Sequence, residues 1–429
     1  MKLSDRFSIK SLIQGVTDKQ GCIFINDKGE TTDLTNVELV GSSVDTVRQL
    51  FEGLPNLDMV KRLETFAEHH QDIVTLTDIT GLKTWHFTRM GKVARYRYKL
   101  QDNEEGIVIL FGSYFQKLDK VGQHLKVELS PHYIGTRSVA EIWQRLNDKR
   151  LGLSTIFLDE SRPSGCAIHL ACDYQGFDLP NNFIETFSTY SRTMRSYDGL
   201  NSIDLSDISE AVASYGGATV AKNYLIGKPS AVQFCLYDKS HEIIKSDKVD
   251  YFHEQWGKYS QGVHNPDNVT RRIEARLHHQ VIRDIGNGMG KDFDSFINIV
   301  PHLTDLWQYA MKNNRLNSDI QRKHLHPFWQ LLMEDVTFGI PSTGLRLVRK
   351  KKDSVSPIGK NIGLALGNMM TIYARQNMTT KVVMHQLQKL TFYPEIVDYY
   401  YHRGLGEDDL REYVEKSLCL RRLIGKVAA

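Results

Sequence analysis

Tyr237 and Lys239 stand two residues apart near the end of an alternating run, Ala231 to Lys239. Gln233, Cys235, Tyr237 and Lys239 share one face of that run, and Val232, Phe234, Leu236 and Asp238 share the other. A phenol beside an ammonium can act as a nucleophile with its charge stabilised. The same pair can also be a strand-forming aromatic followed by a strand-ending lysine. Three more stretches have the same two-sided character. "LKVELSP" sets Leu125, Val127 and Leu129 against Lys126 and Glu128. "CAIHLACDY" sets Cys166, Ile168, Leu170 and Cys172 against His169 and Asp173. "TRRIEARL" sets Ile273, Ala275 and Leu277 against Arg272, Glu274 and Arg276. Glu128, His169, Asp173 and Glu274 are suitable ligands for a divalent ion such as Mg or Mn. Such an ion could polarise a phosphoryl oxygen and acidify a nearby phenol. If the four strands are neighbours, the chemistry they suit is attack of Tyr237 on a phosphodiester.

The chain that has to bring these strands together has 429 residues, enough for two or three cores. It is 41% hydrophobic and 24% charged, ordinary values for a globular protein. A net charge of +3 is too small to argue for a nucleic-acid partner, so local clusters have to carry that claim. No stretch approaches the roughly 18 apolar residues of a membrane span, and "MKLSDRFSIKSLIQ" lacks the apolar core of a signal peptide. The five cysteines are scattered and form no CxxC pair, which points to a reducing, cytoplasmic setting. Cys166, Cys172 and Cys235 fall in apolar runs and read as core residues.

Residues 1–84 mix strand-like "GCIFIND" with helical spacing in "SVDTVRQLFEGL" and "NLDMVKRLETFAEHH", and suggest an N-terminal α/β region without assignable chemistry. Residues 85–288 interleave antiparallel strands with helices. One of these helices starts at Ser138, where Glu141 completes capping-box spacing. Residues 289–429 read as mostly helical. The expected fold is α+β, with two small antiparallel sheets carrying helices on one face, a duplicated ferredoxin-like or saddle arrangement, plus the helical C-terminal domain.

In order and style, "HLKVELSP", "AIHLACD", "NYLIGKPSAVQFCLYDKSHEI" and "VTRRIEARL" resemble the motifs of rolling-circle replication initiators. The nearest groups are the filamentous-phage gene II proteins and the Rep-trans plasmid initiators and relaxases, and the resemblance spans about residues 85 to 285. It implies that Tyr237 nicks origin DNA and keeps the 5′ phosphate. It also implies that Lys239 is the electrostatic partner of Tyr237, and that Glu128 and Glu274 are metal ligands. The chain departs from the family at His169, where an aspartate is usual. Either His169 takes the ligand position or Asp173 on the same face does.

The expected activity is therefore a metal-dependent, site-specific DNA endonuclease and strand transferase that starts replication of a phage, plasmid or other mobile element. The same chemistry in a relaxase, or a catalytically silent DNA-binding regulator, are the alternatives. Expected partners are double- and single-stranded origin DNA, a host helicase and a second copy of the chain as a homodimer, without a membrane. Arg95, Arg97 and Lys99 share a face of "KVARYRYKL" and could track a phosphate backbone. Arg272 and Arg276 could hold phosphates or neutralise Glu274. His324-Leu325-His326 matches a histidine-hydrophobe-histidine signature but lies between loop-like and helix-like flanks, with Pro327 suited to a helix start.

Overall fold

A computed structural model describes residues 10–11, 23–25, 31–191, 193–196, 223–344, 347–350, 357–401 and 406–427. The chain divides into two compact units, residues 1–350 and 351–429.

The first unit is built on one sheet of eleven strands. They are β1 (Glu38–Pro55), β2 (Ile73–Asp78), β3 (Gly81–Arg89), β4 (Tyr96–Asp102), β5 (Ile107–Ser113) and β6 (Gly122–Leu129). After these come β7 (Leu158–Gln175), β8 (Met194–Ser196), β9 (Tyr224–Ile226), β10 (Val232–Asp238) and β11 (Arg271–Leu277). Across the sheet the order is β8-β9-β10-β11-β7-β1-β6-β5-β4-β3-β2. Every pairing is antiparallel. The two small sheets expected from sequence are instead halves of this single sheet. The central strands β1 and β7, each of 18 residues, lie side by side and join them. Residues 38–55, whose spacing in part suggested a helix, form β1. Strand pairing with β6 and β7 satisfies its backbone on both sides and overrides the local pattern. Two minor ladders lie outside the main sheet: Lys10–Ser11, Ile23–Ile25 and Thr31–Asp33, and Phe187–Thr189 with Asn314–Leu316.

One face of the sheet forms the core. The apolar sets read from sequence (Leu125, Val127 and Leu129; Cys166, Ile168, Leu170 and Cys172; Phe234 and Leu236; Ile273, Ala275 and Leu277) are buried in one cluster with Trp85, Trp307 and Trp329. The longer helices described in the first unit are α1 (Leu57–Glu68), α2 (Val139–Asn147), α3 (Lys239–Lys245), α4 (Val249–Tyr259), α5 (His279–Met289), α6 (Leu303–Asn313) and α7 (Pro327–Glu334). The capping box expected at Ser138 and Glu141 is present at the start of α2. His326 caps α7 and Pro327 opens it, as their flanks indicated. The β9–β10 hairpin turns at Gly227, whose φ of +96° suits glycine and whose added Cβ would lie 2.3 Å from the Val232 carbonyl oxygen.

The second unit is helical: α8 (Pro357–Arg375), α9 (Thr380–Gln388), α10 (Tyr393–Tyr401) and α11 (Glu407–Val427). They pack around Leu366, Met370, Val383, Leu387, Ile396 and Val414. Among the described residues, no helix is long and apolar enough to cross a membrane.

Candidate functional site

The face of the sheet opposite the main core carries a polar strip across β10, β11, β7, β1 and β6. Its rows follow from strand register. Tyr237 stands opposite Arg272, and Arg272 opposite Asp173. The next rows place Cys235, Glu274 and Ala171 together, then Gln233, Arg276, His169 and Thr46. The last row joins Ala167, Arg48 and Glu128. Register slips by one residue on β1 between Thr46 and Val44, so Asp45 occupies a bulge beside His169.

That bulge adds Asp45, which the sequence did not indicate, to His169 and Glu274. Ligand atoms of Asp45, His169 and Glu274 all lie within 4.8 Å of one another. His169 Nδ1 is 3.2 Å from Glu274 Oε1. The Tyr237 hydroxyl donates to Glu274 Oε2 at 3.2 Å. Arg276 forks onto the same carboxylate, with Nε 2.7 Å from Oε1 and Nη2 3.0 Å from Oε2. Burial opposes charge on Glu274, but Arg276 and His169 outweigh it and hold the carboxyl well below its usual range. Burial lowers the His169 pKa, which the Glu274 carboxylate partly offsets and the Arg48 charge reinforces. Glu274 is thus anionic and His169 neutral near pH 7, the states that bind a cation.

Asp173 is engaged elsewhere. Its oxygens accept Arg272 Nε at 2.6 Å and Nη2 at 2.7 Å, and Trp256 Nε1 of α4 donates to Oδ2 at 2.8 Å. Gly41 permits this approach, since a Cβ there would lie 3.2 Å from Trp256 Cδ1 and 3.4 Å from Asp173 Oδ2. Of the two alternatives on β7, only His169 therefore stands in the Asp45–Glu274 group. Glu128 also lies outside that group. Lys126 Nζ is 2.8 Å from its Oε1 and Arg48 Nε 3.5 Å. Burial disfavours its charge, yet Arg48 and Lys126 keep its pKa below the usual value.

Several expected roles change with burial. Arg272 is 1% exposed and also reaches Asp45 Oδ1 at 2.5 Å, so it braces three strands and offers no surface to DNA. Arg276 follows the second of its two expected roles, neutralising Glu274. Lys239 is not on the strand face: β10 ends at Asp238, whose side chain caps α3, and Lys239 is the first residue of that helix. It is buried against the Phe252 ring, 4.1 Å from the centroid, and pairs with Glu242. Burial is the largest influence on its pKa and lowers it. Tyr237 keeps the expected side of its strand but is only 4% exposed, packed with Leu225 and Cys235. Arg95 is not part of a three-residue stripe, because it takes a left-handed conformation, φ 66°, in the turn before β4. Arg97 and Lys99 remain on β4, both half-buried, with Arg97 4.6 Å from the Tyr114 ring.

The donor set of Asp45, His169 and Glu274 fits a divalent ion, with one imidazole nitrogen and two carboxylates within reach of a common centre. Arg272 and Arg276 already neutralise the two carboxylates and would compete with a bound ion. Asp45 went unrecognised because its stretch has helical spacing. The β-branched residues Val37, Val40, Val44, Thr46 and Val47 around it were the signal for a strand.

No protein-family model matches the chain. It is similar to a protein of Pseudomonas phage Pf1 described as uncharacterized protein ORF430, at 27% identity over 423 residues covering 94% of each chain.

Proposed function

We propose that this chain is a rolling-circle replication initiator that nicks and rejoins one DNA strand through Tyr237, in the cytoplasm of a bacterial host. The observation that carries the reading is the Tyr237–Glu274–His169–Asp45 constellation: a phenol hydrogen-bonded to a carboxylate that belongs to a potential metal-ligand group. The motif resemblance and the phage origin of the similar protein support the biological setting.

In this reading Tyr237 Oη bonds to phosphorus as the P–O3′ bond breaks. The phenol proton moves toward Glu274 Oε2, its acceptor in the resting site. The leaving 3′ oxygen takes a proton from solvent, and the 5′ phosphate stays on Tyr237. One phosphodiester replaces another, so attack by a later 3′ hydroxyl reverses the step without a nucleotide cofactor. Asp45, His169 and Glu274 would hold Mg or Mn, which when bound supplies stabilisation of the charge developing on the phosphoryl oxygens. Lys239, 6.0 Å from the Tyr237 ring centroid, adds positive potential near the phenol. Arg97 and Lys99 are proposed phosphate contacts further along the strand.

The deciding experiment incubates the protein with supercoiled DNA of its own element and Mn or Mg. Nicked circles bearing covalently attached protein, with the attachment mapped to Tyr237, are the expected result. DNA binding with neither nick nor adduct would favour the silent-regulator reading, for which the near-complete burial of Tyr237 is the specific observation.

A further inference from the structure

Among the cations of the polar strip, Arg48 is the one whose carboxylate partner is distant and shared. Arg272 has Asp173 at 2.6 Å, Arg276 has Glu274 at 2.7 Å, and Lys126 has Glu128 at 2.8 Å. Lys239 is paired with Glu242. The Arg48 guanidinium lies 3.5 Å from the oxygen that Lys126 already approaches, and its buried Nε has no hydrogen-bond partner among the described residues. A desolvated guanidinium N–H without an acceptor is unfavourable, so Arg48 keeps a donor free for an acceptor besides Glu128. Arg48 sits one row along the strip from His169, on β1 between Glu128 and the Asp45 bulge. Its side chain is 20% exposed.

We propose that Arg48 binds the scissile phosphate, its guanidinium donating to a non-bridging oxygen of the group that lies over Asp45, His169 and Glu274. Planar guanidinium suits this task because it donates to phosphate as a fork. This role rests on the nicking reading.

Two measurements test it. In the first, inorganic phosphate is titrated into protein with isotope-labelled histidine, and the His169 imidazole resonance is followed by NMR. A saturable shift in wild type that Arg48→Gln abolishes and Arg48→Lys partly retains is expected. An unchanged shift in Arg48→Gln, or none in wild type, overturns the proposal. The second compares single-turnover cleavage of oligonucleotides with a normal or a methylphosphonate scissile linkage. Arg48→Gln should lose a factor on the order of 10² on the phosphate and far less on the methylphosphonate, which lacks the charged oxygen. Equal losses on both would make Arg48 merely structural and overturn the proposal. Wild-type protein that shifts with phosphate yet forms no adduct would count against nicking alone, leaving the phosphate titration to decide Arg48.

Discussion

The Tyr237 hydroxyl reaches Glu274 on the neighbouring strand, two residues out of register, instead of Arg272 directly opposite. Arg272 can only donate, and its fork is directed at Asp173 and Asp45, whereas the carboxylate two positions along accepts the phenol hydrogen. The proposed nucleophile and its proposed proton acceptor are thereby hydrogen-bonded within the fold. A buried structural tyrosine would also seek such a bond, so the contact has consequences for stability as well as for chemistry.

Tyr237→Phe should therefore be measurably destabilising, unlike the loss of a solvent-facing hydroxyl. Removing a hydrogen bond to a charged group costs about 1.5–3 kcal/mol, read from urea melts. The folded variant should form no covalent DNA adduct on a denaturing gel. Adduct at the wild-type rate would place the nucleophile elsewhere.

Mn binding separates the ligand group from its neighbours. Asp45→Asn and His169→Gln should each weaken binding by a factor on the order of 10 or more, measured by calorimetry. Glu128→Gln should change it by less than about 2-fold, because Glu128 lies outside the group. If Glu128→Gln has the largest effect, the ion sits nearer Lys126 than the geometry implies.

Asp173→Asn should act on folding. It breaks the bidentate pair with Arg272 inside the strip and leaves Asp45 alone to offset that guanidinium, a loss that reaches at most the about 3–5 kcal/mol of an uncompensated buried charge. Mn affinity of the folded fraction should fall modestly, because Arg272 is left with Asp45 as its remaining carboxylate. Replacing both partners, Asp173→Asn with Arg272→Met, should recover part of the loss in chemical melts. A double variant less stable than Asp173→Asn would show that Asp45 also depends on Arg272.

His326 predicts a pH dependence. Its Nδ1 accepts the Phe328 backbone N–H at 3.2 Å, and burial pushes its pKa from 6.5 down to about 4. As pH falls below 6.5 the unfolded chain takes up this proton before the folded one, so stability rises with pH across that window. The contribution is complete above pH 6.5 and is lost as pH falls toward 4, with a slope of at most about 1.4 kcal/mol per pH unit. Asn can still cap the helix but does not titrate, so His326→Asn should flatten the slope between pH 6.5 and 4.5 in urea melts. Equal slopes in the two proteins would assign the titration to another group.

The sequence by itself determined which side of the four strands β6, β7, β10 and β11 faces the main core. A period of two is local, and one apolar set per strand leaves little choice of face, as Leu125, Ile168, Phe234 and Ile273 illustrate. It also located Tyr237, His169 and Glu274, because polar groups that repeatedly oppose apolar faces stand out. Tertiary structure decided how those groups pair. His169 and Asp173 share a face two residues apart, and only the strand and helix beside them assign one to Glu274 and the other to Arg272 and Trp256. Asp45 enters the site through a bulge, which exists only once β1 and β7 are paired. Lys239 leaves the strand because Asp238 caps a helix, a local signal that the alternating pattern obscured. The fusion of two expected sheets into one was likewise undetermined, since any unpaired strand edge accepts a partner and the choice between β1 and another neighbour is made over more than a hundred residues. Periodicity fixes how a strand faces; long-range pairing fixes what it faces.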